Sequence, residues 1–199
     1  MYINEESKVI FLHNPRCGGT YFRRICLSNG KRAPYWSDYS EETNVDMAHI
    51  SLRNLSRFIP DYKDYKIISF IRNPYNRFVS ALTKANSENT ESNDIFIRYG
   101  TDVKKFCQYL CSLNYYDQDM ILRNQAIPWL LPQSNFSDVN TLTLRYESLS
   151  DWNFLFNIFN ISGATVNIKE DYELDRETMR MIRELYFDDE EIFCLYDKK

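Results

Sequence analysis

The most informative segment of this chain is Val9–Thr20, which reads Val9-Ile10-Phe11-Leu12-His13-Asn14-Pro15-Arg16-Cys17-Gly18-Gly19-Thr20. Its four leading apolar residues predict a short buried strand, and the proline and paired glycines predict a loop. The residues from Thr20 to Leu27 predict a helix. A loop that leads into a helix N-terminus points several backbone N–H groups at one spot, where the helix dipole also favours negative charge. The segment therefore predicts an anion-binding loop between a strand and a helix.

Side chains of the same segment suit that chemistry. Two adjacent glycines let the backbone approach a bulky anion without a Cβ in the way. Thr20 can donate a hydroxyl hydrogen, and Arg16 supplies a planar cation that matches oxyanions. The alternative is a tight turn that needs glycine for its geometry alone. The candidate anion-binding residues of this segment are Arg16, Cys17, Gly18, Gly19, Thr20 and Tyr21.

A second strand, turn and helix are predicted over residues 66–82. Pro74 fits the first turn of a helix, and Arg72 lies at the carboxyl end of the strand, where open α/β sheets place their ligand contacts. A guanidinium and a neutral donor such as the Ser80 hydroxyl together suit a phosphate dianion. The alternatives are a surface arginine in a loop and an ordinary helical serine.

Two common nucleotide-binding patterns are absent from the sequence. No Gly-Lys-Ser/Thr occurs, as a nucleoside-triphosphate P-loop requires, and the five glycines do not form Gly-x-Gly-x-x-Gly. The loop instead resembles the 5′-phosphosulfate loop of sulfotransferases that use 3′-phosphoadenosine-5′-phosphosulfate (PAPS), which typically reads Pro-Lys-x-Gly-Gly-Thr-Ser. The proline, both glycines and the threonine match, whereas Arg16 replaces the lysine.

The second segment resembles the 3′-phosphate motif of the same family, Arg-Asp/Asn-Pro-x-x-Arg-x-x-Ser. This resemblance implies that Arg72 and Ser80 hold the 3′-phosphate of PAPS. Weaker resemblances to the family occur at Arg145-Tyr146-Glu147 and over residues 186–193. Pro132-Gln133 resembles a stretch in small bacterial members of the carbohydrate (type 2) branch, and the chain is similar to such a small bacterial-style member. A structural ion pair is the alternative for Arg145 and Glu147.

The resemblance implies a P-loop-like fold, PAPS as co-substrate and a hydroxyl acceptor, for which we expect a carbohydrate. In sulfuryl transfer the acceptor hydroxyl attacks sulfur in line while negative charge builds on the leaving oxygen. His49 lies in a segment similar to that of the catalytic histidine of uronyl 2-O-sulfotransferases, which makes it the candidate general base; a helix-capping role is the alternative. His13 is expected to be structural. Arg16 cannot readily give up a proton, but it can stabilise the leaving oxygen electrostatically.

Length and composition agree with a single folded domain, covering residues 1–199. The chain is 44% hydrophobic and 16% aromatic, and its net charge of −4 argues against nucleic-acid binding. Residues 8–32 contain six basic and no acidic residues, whereas residues 170–199 contain eleven acidic and five basic ones. A basic patch on an acidic protein suits a small anionic ligand, although solvated helix faces would also account for part of this pattern.

Five irregularly spaced cysteines without a Cys–His cluster indicate reduced thiols and no zinc site. No apolar run reaches the length of a membrane span, and the N-terminus lacks the pattern of a signal peptide. We therefore expect a cytoplasmic enzyme that needs no metal.

The remaining chain predicts strands that alternate with helices, and thus an α/β fold with a mainly parallel central sheet flanked by helices. Residues 30–45 are expected to form a loop, and residues 84–94 a flexible insertion and possible lid. An amphipathic helix is expected over 101–113, with Cys107 and Cys111 on its apolar face. Ser51, Asp151 and Asp175 are the expected helix caps. Aromatic residues that could stack on a sugar, although core packing is the alternative, are Trp36, Tyr115, Tyr116 and Trp129.

Two other functions remain open from the sequence. A P-loop nucleotide kinase would require tight binding of ATP and magnesium without the usual Gly-Lys-Ser/Thr. A non-catalytic module that binds adenosine 3′,5′-bisphosphate is suggested by the replacement of the family lysine with Arg16.

Overall fold

The computed structural model describes residues 1–31, 39–40, 45–87, 99, 101–124, 127–168 and 172–197. The chain forms two compact units, each made of two pieces of sequence. The first unit contains Met1–Arg72 and Gln133–Lys169, and the second contains Asn73–Pro132 and Glu170–Lys199. Whether they act as one domain, as the length suggests, stays a prediction.

The described strands all belong to the first unit and are β1 (Tyr2–Asn4), β2 (Val9–Leu12), β3 (Tyr39–Ser40), β4 (Val45–Asp46), β5 (Lys66–Ile71) and β6 (Leu142–Arg145). Four of them form a sheet in the order β1-β2-β5-β6. Strand β1 is antiparallel to β2, whereas β2, β5 and β6 run parallel. Leu12 pairs with Ser69 and Ile71 with Arg145, so the loop after β2 and Arg72 after β5 both follow the carboxyl ends of parallel strands. The predicted mainly parallel sheet is confirmed.

Helices cover both faces of this sheet, and the residues of β2 and β5 contribute to an apolar cluster on each face. Phe11 and Phe70 pack with helices α1 (Gly19–Ser28) and α6 (Leu149–Ile158) on one face. Ile10 and Leu12 pack on the other face with residues around helix α2 (Leu52–Phe58), among them Leu55. Side chains that are apolar on both faces are typical of a parallel strand buried between helix layers.

The second unit is helical where it is described. Its helices are α3 (Pro74–Ser87), α4 (Val103–Ser112), α5 (Tyr115–Leu122), α7 (Arg176–Leu185) and α8 (Phe187–Asp197). Its apolar core includes Phe78, Phe106 and Ile182. Inside this unit the Arg77 guanidinium donates to the Leu131 carbonyl at 2.5 Å and lies 4.0 Å from the Asp189 carboxylate, with both charged side chains at least 98% buried. No helix in the described ranges is both long and apolar enough to cross a membrane.

Several local expectations are corrected. The predicted loop over 30–45 contains β3, which pairs with β4 in an antiparallel ladder, and α3 continues through residues 84–87 of the predicted insertion. Residues 32–38, 41–44 and 88–94 of these two segments lie outside the described residues, and so does Trp36. Cys107 is buried as expected, but Cys111 is exposed.

The helix caps are only partly as expected. Asp175 caps α7 by accepting from two backbone N–H groups, which confirms its assignment. Asp151 is not a cap: Ser148 caps α6, and the Asp151 carboxylate lies in the first turn, where it accepts from the Arg145 backbone N–H at 2.6 Å. Ser51 stands at the start of α2 but makes no side-chain capping bond.

Candidate active site

The loop between β2 and α1 has an unusual backbone. Gly18 has a φ of 85° and Arg16 a φ of 65°, which is left-handed and uncommon for a residue with a side chain. The turn is closed by the Cys17 N–H, which donates to the Asn14 carbonyl at 3.2 Å. A left-handed arginine costs about 1–2 kcal/mol relative to its ordinary conformations. The surrounding structure must hold the loop in this shape.

Both glycines of the loop are required by their neighbours. A Cβ on Gly19 would lie 1.8 Å from Cδ2 of His13, and one on Gly18 would lie 2.6 Å from Cζ2 of Trp152. Neither position has room for a methyl group. Glycine is therefore required at both positions by the packing of the His13 and Trp152 rings. The close approach of an anion to these glycines stays a prediction.

Arg72 is buried, with 3% of its surface exposed, although it carries a positive charge. One terminal nitrogen donates to the Arg16 carbonyl at 3.2 Å, and the guanidinium carbon lies 4.6 Å from the centre of the Tyr146 ring. The Nε and the other terminal nitrogen are buried and have no hydrogen-bond partner among the described residues. A buried cation with two unsatisfied donors is costly unless an anion binds them.

Gln133 connects Arg72 to the loop. Its side-chain amide accepts from the Arg72 backbone N–H and donates to the Arg72 carbonyl, both at 2.8 Å. The amide oxygen also accepts from the side chains of Asn14 and Cys17, each at 3.3 Å. In the sequence, only the unspecific Pro132-Gln133 resemblance pointed to this residue.

His49 lies beside the first residue of the loop. Its Nδ1 is 3.0 Å from the His13 carbonyl oxygen, and the two imidazole rings are 4.2 Å apart at their centres. A carbonyl can only accept, so Nδ1 carries a hydrogen, and in the neutral ring the lone pair lies on Nε2. Burial, together with the neighbouring His49, holds the pKa of His13 well below 6.5. His13 is therefore neutral at physiological pH.

The other predicted site residues occupy varied positions. Thr20 is exposed in the first turn of α1, and Cys17 is buried with its thiol toward Gln133. Tyr21 donates its hydroxyl to the Thr165 carbonyl and packs edge-on against Trp152, so it has a structural role. Ser80 is buried on α3 and belongs to the second unit.

The structure thus brings Cys17 and Arg72 together around Gln133 in the first unit, with the Arg16 carbonyl on the Arg72 guanidinium and His49 at the start of the same loop. Sequence reasoning missed Trp152, which packs against Gly18 and donates its indole N–H to the Tyr146 carbonyl at 2.8 Å. Among the described residues no three His, Cys, Asp or Glu side chains are grouped as a metal site would require.

Comparison with known proteins assigns the chain to a family. The model of the family described as "Sulfotransferase family" matches residues 1–197. The chain has no significant match among the curated proteins or the solved structures with which it was compared.

Proposed function

This chain belongs to the sulfotransferase family and is a sulfotransferase enzyme, and from that premise we propose that it moves the sulfuryl group of PAPS to a carbohydrate hydroxyl. Members of this family generally take sulfate from PAPS. The proposal assigns the nucleotide to the loop and Arg72, and the proton transfer to His49.

The observation that carries the proposal is the unsatisfied edge of the buried Arg72 guanidinium. Nε and one terminal nitrogen form two parallel donors, the arrangement that binds a phosphate bidentately. The remaining terminal nitrogen donates to the Arg16 carbonyl, and this hydrogen bond to the loop orients the guanidinium with its two unsatisfied donors. We assign this edge to the 3′-phosphate. Ser80 enters the assignment on its sequence motif alone.

The hydrogen bond of the His49 ring suits a general base. Because Nδ1 donates to the His13 carbonyl, Nε2 is the nitrogen that would accept the proton of the acceptor hydroxyl when the ring is neutral. The acceptor oxygen forms a bond to sulfur as the bond between sulfur and the 5′-phosphate oxygen breaks. The proton goes to Nε2 and the electron pair to the leaving oxygen, where the Arg16 guanidinium would stabilise the charge.

The acceptor class is proposed from the carbohydrate-branch resemblance. Tyr115 and Tyr116 are 79% and 71% exposed in the second unit, which leaves their rings available for a sugar, whereas Trp129 packs against an apolar core. All five cysteines are free, and we propose a cytoplasmic location on that basis.

Transfer of labelled sulfate from PAPS to a panel of glycans and phenols tests the proposal. We expect labelled glycan with the wild-type protein. His49→Ala should lower turnover by about 10²- to 10⁴-fold, the usual contribution of a general base. Affinity for adenosine 3′,5′-bisphosphate should stay within a factor of about three, since the base faces the acceptor and makes no phosphate contact in this scheme.

A second variant, Tyr115→Ala, tests the carbohydrate assignment, and it should lower transfer to glycans and leave transfer to phenols unchanged. Retention of most activity by His49→Ala would assign the base to another group. Labelling of phenols alone would remove the carbohydrate assignment.

A further inference from the structure

We propose that Gln133 is a positioning residue that fixes the distance between the β2–α1 loop and Arg72, and that it thereby gives the protein its preference for a nucleotide with both a 3′- and a 5′-phosphate. The inference rests on the proposed function, because it concerns the same nucleotide. It predicts a specificity that neither phosphate-binding segment would have by itself.

The two hydrogen bonds between the Gln133 side chain and the Arg72 backbone resemble those between residues of neighbouring strands. Strand β5 ends at Ile71, and its ladder to β6 ends there at Arg145. At the next residue the Gln133 amide replaces a neighbouring strand, since it exchanges two hydrogen bonds of 2.8 Å with the Arg72 backbone. This exchange also fixes which end of the amide is oxygen, because a backbone N–H must donate and a carbonyl must accept.

The same amide oxygen holds the loop. It accepts from the Asn14 amide and the Cys17 thiol, and the Asn14 amide in turn donates to the Phe70 carbonyl at 2.9 Å. Gln133 itself is fully buried. One oxygen therefore joins the loop proposed for the 5′-phosphosulfate to the residue proposed for the 3′-phosphate.

A fixed distance matters only for a ligand that reaches both positions. When one phosphate is bound, the other is held nearby at a high effective concentration, provided that the two binding groups stay at the matching separation. Loosening that separation costs the two-phosphate nucleotide its advantage. A nucleotide with one phosphate uses one segment at a time and loses little.

Two substitutions separate positioning from simple stability. Gln133→Leu removes every hydrogen bond of the amide at similar volume. Gln133→Glu keeps the shape but places a carboxylate oxygen against the Arg72 carbonyl, and only the protonated acid can donate there again. The matched control is Thr143→Val on β6, which breaks a buried hydrogen bond to Ser137 in the same unit.

The experiment measures the affinities of adenosine 3′,5′-bisphosphate, 5′-AMP and 3′-AMP for each protein by calorimetry, alongside urea unfolding. We expect the wild-type preference for the bisphosphate over 5′-AMP to fall by about tenfold or more in Gln133→Leu, the effect of one or two lost hydrogen bonds. Affinity for 5′-AMP should change by less than about threefold. Thr143→Val should lose stability and keep the preference.

The glutamate variant gives an internal control if the leucine variant does not fold. Its bisphosphate preference, divided by that of the wild type at the same pH, should rise as the pH is lowered and the buried carboxyl takes up a proton. A Gln133→Leu protein with the wild-type preference, or a pH-independent ratio for Gln133→Glu, would overturn the positioning role alone. A wild-type protein that binds 5′-AMP as tightly as the bisphosphate would overturn the proposed function and this inference together.

Discussion

His13 and Gly19 constrain each other's identity, because the imidazole occupies the space that any side chain at position 19 would need. The histidine is buried, its ring lies against that of His49, and its carbonyl accepts from the His49 ring. A residue expected only to be structural thus shapes both the loop and the candidate base.

Substitution of Gly19 by alanine should be costly only when His13 is present. Gly19→Ala should lower the free energy of unfolding by about 1–3 kcal/mol or more, as overpacking does. In a His13→Ala background the same change should cost little or even stabilise, since alanine favours a helix over glycine. Urea unfolding of the two single variants and the double variant measures this coupling. If Gly19→Ala lowered the free energy of unfolding equally with and without the His13 ring, a clash with that ring could not be the cause.

His13 should also make stability depend on pH. Its pKa is well below 6.5 in the folded protein and returns to about 6.5 on unfolding. Below about pH 6.5 the unfolded chain therefore binds a proton that the folded protein does not. The free energy of unfolding should fall as the pH drops from about 6.5 to 5, by at most about 1.4 kcal/mol per pH unit. His13→Gln should flatten this part of the curve, and an unchanged slope would contradict the assignment.

Among the secondary-structure elements, α3 and α8 are linked by a buried charge pair that explains two sequence motifs. Arg77 is the second arginine of the Arg-Asn-Pro motif, and Asp189 belongs to the C-terminal segment that resembles the family. Their ion pair lies in the core of the second unit. The two arginines of the motif therefore have different roles: Arg72 is proposed to bind phosphate, and Arg77 holds two helices together.

Removing one member of this pair should strongly destabilise the second unit. Asp189→Leu leaves the Arg77 charge buried, which costs about 3–5 kcal/mol. The double variant Arg77→Met/Asp189→Leu should recover much of this loss, because two apolar side chains need no charge partner. The exposed pair of Arg180 and Glu184 is the matched control, and Glu184→Ala should cost less than about 1 kcal/mol. The prediction would be contradicted if urea unfolding showed that Asp189→Leu and Glu184→Ala lower the free energy of unfolding by the same amount.

The elements that the sequence predicted well are those with a regular apolar pattern. Strands β2 and β5 lie where the apolar runs placed them, because both of their faces are buried. Strands β3 and β4 are only two residues long and carry no pattern. Ser148 and Asp151 are both suitable helix caps by residue type. Ser148 is the cap because the Asp151 carboxylate accepts from the Arg145 backbone N–H instead.

At the scale of the whole molecule, motifs in the sequence identified the family and suggested residues of the candidate site, but they did not show which residue connects those residues. Arg16, Arg72 and His49 were predicted from motifs, and each lies at or beside the loop in the first unit. Gln133 is 61 residues away from Arg72 in sequence, and no periodicity predicts a contact between its side-chain amide and the end of a strand. Such contacts follow from the sheet order, which a single sequence does not contain.

Nucleotide binding should stabilise the whole folded protein. A ligand that binds only the native state adds about 2.7 kcal/mol when its concentration is 100 times Kd. Adenosine 3′,5′-bisphosphate should therefore raise Tm, and ATP should raise it much less because it lacks the 3′-phosphate. Arg72→Ala should weaken bisphosphate binding by about 1.5–3 kcal/mol. Arg123→Ala, at an exposed ion pair with Asp119, is the control that should behave as wild type. Equal shifts with ATP and bisphosphate would remove the 3′-phosphate assignment.

The interleaving of the two units sets an order of events during synthesis. The first unit needs β6, yet residues 73–132 leave the ribosome before it. Until β6 arrives, one side of β5 is a bare edge that carries Ile68, Phe70 and Ile71. Such edges invite pairing with other chains. A chain truncated between residues 132 and 142 should therefore be prone to aggregate. During synthesis, the edge of β5 stays unpaired for as long as residues 73–132 are being translated.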